Sequence, residues 1–177
     1  ISEWQLVIDE NGDSALDCNS VFDLPMQTNG ATNEYFTSIA IESEGDDEEQ
    51  SWSIAVGGHS GTVWLFDGSV YETGNGSRFK FRLNGFWAAL DGSIDHIEIH
   101  PSSDHVIAAG LSHKVKVWAV GRDVNPSLAG SCSLDGHVIS MHWDDEKCDA
   151  IVGTDQGTVW CLRRNRRKLL AIPMTRS

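Results

Sequence analysis

The sequence is short of the features that mark several protein classes. Of its 177 residues only four are proline, against 17 glycines, so its turns must be built largely by glycine. No apolar run approaches the roughly 20 residues needed to span a bilayer. The four cysteines, Cys18, Cys132, Cys148 and Cys161, form no CxxC pair and no close cluster. They read as reduced structural thiols rather than as a zinc site or a disulfide framework. The start, ISEWQLVIDENG, has neither a charged lead nor an apolar stretch behind it, so no signal peptide is visible; an Ile in first place is expected of a fragment or a processed product. No segment of helix length sustains apolar residues at i, i+3 and i+4, which argues against any helical class.

Acidic residues are missing from one region only. All 26 acids and seven of the 13 bases precede residue 163, a balance of −19. The last 15 residues hold Arg163, Arg164, Arg166, Arg167, Lys168 and Arg176 with no acid, a balance of +6. An acidic body repels phosphate backbones and disfavours nucleic acid as its partner. The string RRNRRK at 163–168 suits either a solvated basic loop or an anion-binding or nuclear-localisation element.

What is present is a set of short β-prone runs, among them SIAVGG, TVWLF, FKFRL, HIEIH, KVKVWAV and TVWCL, separated by Gly, Ser, Asp and Asn. The pattern predicts an all-β chain. It also repeats. GTVW occurs at 61–64 and again at 157–160, and aligning the two copies lays IAVGGHSGTVWLFD over AIVGTDQGTVWCLR. A third copy, VIAAGLSHKVKVWAV, begins at Val106 between them. Each copy is a strand, a tight turn and a second strand, the signature of a β-hairpin.

An apolar-x-x-apolar-x-apolar block precedes each hairpin: Phe36, Ile39 and Ile41, then Ile94, Ile97 and Ile99, then Val138, Met141 and Trp143. The first unit is six residues longer than the others, and the surplus coincides with ESEGDDEEQ, an acidic insertion at 42–50. One more strand follows each hairpin, at 79–83, 131–134 and 169–174. The unit is therefore four short strands in about 44 residues.

Such units resemble the blades of WD-repeat β-propellers. IDHIEIHPSSDHVIAAG (94–110) is similar to that family's first strand, Pro-containing turn and small-residue second strand. Leu134-Asp135-Gly136-His137 is similar to its Gly-His step. Phe66-Asp67, Trp118-Ala119 and Leu162-Arg163 stand at the Trp-Asp position, none as an intact pair. The resemblance covers roughly residues 35 to 174. It implies blades at 35–92, 93–136 and 137–177, the last with the basic tail, and part of an earlier blade at 1–34, with EWQLVID and SVFDLPM as its third and fourth strands. That is about three blades plus part of a fourth, so the ring must be completed by more chain or by a partner. The resemblance also implies a structural polar relay at His137, Thr154 and Asp155, with Leu162 where the family has Trp.

No catalytic constellation stands out. His96, Glu98 and His100 share one strand face, but ligands two residues apart on a flat strand lie about 6.5 to 7 Å from one another, too wide to converge on one metal. Ser60 beside His59 lies in a hairpin turn, whereas a nucleophile elbow needs a strand-to-helix turn. No cofactor, metal or enzyme activity is expected. The expected function is a protein-interaction scaffold within a larger assembly, cytoplasmic or cytoskeletal, with a nucleus-based or nucleic-acid-linked adaptor using 163–168 as the alternative and a propeller enzyme behind it. Candidate partner-binding residues are Glu44, Asp46, Asp47, Glu48 and Glu49 of the insertion, Phe86 and Trp87 between two repeats, and Arg163, Arg164, Arg166, Arg167 and Lys168.

Overall fold

The computed structural model of the chain describes residues 2–8, 14–21, 34–44, 51–73, 76–102, 104–121, 124–144, 149–165 and 168–174. All regular structure among them is β. A two-stranded antiparallel pair, β1 (Ser2–Ile8) and β2 (Ser14–Val21), comes first. Three four-stranded antiparallel sheets follow, each taking its strands in chain order. The first sheet holds β3 (Phe36–Glu44), β4 (Ser51–Gly58), β5 (Thr62–Thr73) and β6 (Gly76–Ala88). The second holds β7 (His96–Ile99), β8 (His105–Ala109), β9 (Lys114–Gly121) and β10 (Val124–Ser133). The third holds β11 (Val138–Asp144), β12 (Asp149–Thr154), β13 (Val159–Asn165) and β14 (Lys168–Pro173). The SVFDLPM run meets β2 only at Ser20 and Val21, and residues 22–26 lie outside the described residues.

The repeat is explained by its turns. Gly61 and Gly157 both have positive φ, 85° and 78°, and the residue at the equivalent place in the second hairpin, His113, has φ 57°. A left-handed residue closes each β4–β5-type turn, and glycine reaches that conformation without a Cβ penalty. In the first turn the Gly61 N–H donates to the Gly58 carbonyl at 3.1 Å; in the third the Gly157 N–H donates to the Thr154 carbonyl at 3.0 Å.

The sheets are propeller-like blades stacked face to face. The inner strand β7 lies against β3 and β4 on one side and β11 on the other, while the outer strand β10 meets β14 and β6. The core sits between sheets. Ala55, Val63 and Leu65 of the first pack against Ile97, Ile99, Val106 and Ala108 of the second. Ile107, Val115 and Val117 of the second pack against Met141, Trp143, Val152 and Leu162 of the third. Strand alternation feeds both interfaces: Val106 and Ala108 face backward, Ile107 and Ala109 forward. Side-chain hydroxyls join the first interface, with Thr37 and Ser38 both donating to the Ile94 carbonyl, at 2.6 and 2.8 Å.

The equivalent positions Val63, Val115 and Val159 reveal where the stack ends. Val63 and Val115 are 0% exposed, whereas Val159 is 42% exposed. Its neighbours on that face, Ile139 and Ile172, are exposed as well. At the opposite end Ile54, Val56, Trp64 and Phe66 form a separate cluster on the first sheet's backward face, beside exposed Ile39 and Ile41.

Candidate functional site

The densest polar network is centred on Asp135. Its Oδ1 accepts hydrogen bonds from the Thr154 hydroxyl and the Trp160 indole N–H, each at 3.0 Å, and its Oδ2 accepts one from the Thr158 hydroxyl at 2.5 Å. The bond from Thr158 does most to hold the Asp135 carboxyl below the usual carboxylate range; burial opposes it, and the bonds from Trp160 and Thr154 add to the lowering. The network ties the loop ahead of β11 to the β12–β13 hairpin.

Of the three expected relay residues Thr154 joins this network, while His137 and Asp155 pair with each other beside it. Asp155 Oδ1 accepts the His137 backbone N–H at 3.0 Å, and the Asp155 N–H donates to the His137 carbonyl at 2.9 Å. The Thr154 hydroxyl goes to Asp135 instead. Leu162 supplies no indole, and Trp160, on the same face two residues earlier, reaches a carboxylate that lies nearer the turn. The His137 ring faces His113, with Nε2 to Nε2 at 3.4 Å and the rings edge to face. Asp135 was within the LDGH string, but sequence reading assigned the carboxylate role to the turn residue Asp155.

His96 and Glu98 lie on one half-buried face of β7, opposite buried Ile97 and Ile99, and His100 follows just past the strand's end. His100 is drawn into the β7–β8 turn, with Nδ1 2.6 Å from the Ser102 hydroxyl, and its ring sits edge-on to Trp143. Burial works to raise the Asp104 carboxyl in that turn, but hydrogen bonds from Ser102 and His105 outweigh it and hold the carboxyl low. Glu98 is raised, chiefly by burial, with His142 of β11 opposing and Glu42 of β3 adding to the shift. Among the described residues no three ligating side chains are placed to hold a metal ion.

The candidate partner-binding residues separate in space. Phe86 is 50% exposed, while Trp87 turns into the core and lies 6.1 Å from Trp118, ring centre to ring centre. Between them and the second sheet is a cleft of about 240 Å³ lined by Leu65, Asn84, Phe86, Val120, Asn125 and Pro126 among others. Sequence reading found the aromatics of this cleft and missed the two asparagines, whose signal was a Gly or Pro neighbour inside a strand. In the acidic insertion, Glu44 ends β3 opposite Ser51, and Asp46, Asp47, Glu48 and Glu49 lie outside the described residues. Of the basic string, Arg163 is exposed on β13, Arg164 pairs with Leu169 through the backbone, Lys168 begins β14, and Arg166 and Arg167 lie outside the described residues.

Comparison with solved structures shows a likeness of fold. The chain is similar to the crystal structure of Saccharomyces cerevisiae Sqt1, at 14% identity and a TM-score of 0.56, over 76% of this chain and 34% of that one. It thus spans about a third of the length of that structure. No family model matches the chain, and no curated protein matches it.

Proposed function

We propose that the chain is part of a larger WD-repeat propeller and acts as a non-enzymatic scaffold for protein–protein contacts in a multiprotein assembly, cytoplasmic or cytoskeletal. One observation carries the reading: a repeat position that is sealed in two sheets, at Val63 and Val115, stands open in the third, at Val159. Burying such a face is what the next blade does in a propeller, because a four-stranded blade cannot seal its own two faces. The likeness to a structure about twice as long supports the same reading. The polar networks agree with it, since the Asp135 carboxylate is taken up in joining a loop to a hairpin. Function in such a fold resides in the surfaces the rigid blades present.

Native mass spectrometry of the protein from its natural source, with cross-linking, tests this. The expected result is a species heavier than 19.4 kDa, with cross-links from the third sheet to further β structure and other proteins at fixed stoichiometry. A stable monomer of that mass, without partners, would overturn it.

A further inference from the structure

Two β-bulges open on the same cleft. In β6 the pairing with β5 shifts between Leu65 and Phe66, whose partners are Gly85 and Leu83, so Asn84 is the extra residue. In β10 the pairing with β9 shifts between Val124 and Ser127, so that Asn125 and Pro126 together stand opposite the single residue Val120. A bulge re-aims a side chain that regular pleating would send elsewhere. Here both bulges bring an asparagine to the lining of one space, between the outer strands of the first and second sheets.

The lining sets what fits. Leu65 and Val120 are buried at its base, Phe86 offers an exposed aromatic wall, and most of the accessible lining is polar. Asn84 Nδ2 donates to Asp67 Oδ1 at 3.3 Å, which leaves its carbonyl oxygen as an acceptor. Exposed Asn125 has no side-chain hydrogen bond among the described residues. A carboxamide carries both donors and an acceptor, the complement of a peptide unit. At about 240 Å³ the space is smaller than the roughly 300 Å³ at which cofactor and small-molecule pockets begin. It lies beside the edge strands β6 and β10, along which an extended chain can run. The net charge of −13 draws cationic segments and repels anionic ones.

We infer that this cleft binds an extended, basic segment of a partner protein, seating one apolar side chain against Leu65, Val120 and Phe86 while Asn84 and Asn125 hydrogen-bond the flanking backbone. The inference rests on the scaffold reading and gives it a site and a partner chemistry.

The test pans a phage-displayed library of random peptides on the intact protein. A synthesised consensus peptide is then titrated by fluorescence anisotropy against the native protein and the variants Phe86→Ala, Asn125→Ala and Leu111→Ser, the last on the exposed β8–β9 turn. Circular dichroism checks that each variant folds. The expected consensus is an apolar residue flanked by Lys or Arg. Its affinity is expected to fall about tenfold or more in Phe86→Ala, to fall in Asn125→Ala, and to hold in Leu111→Ser. An acidic consensus, no enriched peptide, or a peptide indifferent to Phe86 and Asn125 would overturn the inference. Fixed-stoichiometry partners in the native assembly would leave the scaffold reading standing in each of those cases; their absence would remove both.

Discussion

Gly61 and Gly157 are each followed by Thr-Val-Trp and share the same turn and nearly the same φ, so replacing each by alanine separates backbone strain from tertiary crowding. At Gly157 a new Cβ meets nothing within 4 Å. The cost is then the left-handed conformation, roughly 1–2 kcal/mol, less the few tenths to 1 kcal/mol by which alanine restricts the unfolded chain. The net is about 1 kcal/mol. At Gly61 the Cβ would collide with the Leu90 carbonyl oxygen and come within 2.7 Å of the Gly92 carbonyl oxygen. Those are backbone atoms of the segment joining the first two sheets. Relief requires that segment to move, which strains the hydrogen bonds that the Gly61 carbonyl accepts from Ala89 and Leu90, at 2.8 and 3.1 Å. Adding one weakened buried bond and residual overlap brings the cost to about 3 kcal/mol or more. For a chain of this size the two variants should melt about 3 °C and about 9 °C below the native protein. Thermal unfolding followed by circular dichroism, with urea titrations as a check, reads the difference directly. Equal losses, or a larger loss at Gly157, would refute the claim that the first turn is locked against the linker.

Three further outcomes follow from the titratable groups. Asp135 has a folded-state pKa below its unfolded value of about 3.9, so its contribution is complete above that pH and fades as pH falls through the lower folded value. Asp135→Asn should therefore lower the melting temperature at pH 7 and lose less than the native protein on acidification to pH 3; equal losses would sink the assignment. Glu98 is shifted the other way, so its ionised form opposes folding once pH rises past its unfolded value. Glu98→Gln should stabilise the protein at pH 7 and change little at pH 4, as melting curves at the two values will show. Burial pushes the Cys132 thiol up to about 11, so at pH 8 it should react with iodoacetamide far more slowly in the folded protein than in urea. Peptide mapping by mass spectrometry would expose an error as rapid native labelling.

How much of this was legible beforehand differs by element. The hairpins were readable because their signals are local: β-branched runs, glycine at the left-handed turn position, and a spacing that recurs. The β6 and β10 strands proved longer than FKFRL and SCSL suggested, since a bulge lets a strand continue through Asn84 or Asn125-Pro126 without preserving strict alternation. Phe86 and Trp87 looked alike in sequence, and only the neighbouring sheet decided that Trp87 enters the core while Phe86 remains outside.

The sequence by itself determined the class, the repeat and the position of the turns, because each depends on contacts between residues close along the chain. Tertiary structure alone decided which carboxylate serves Thr154 and Trp160, and where two asparagines meet. It also decided that Val159 is open while Val63 and Val115 are sealed. Those outcomes depend on what the adjacent sheet brings to the same point in space. Identical local strings, such as the two copies of GTVW, can be placed differently because their partners come from elsewhere in the chain.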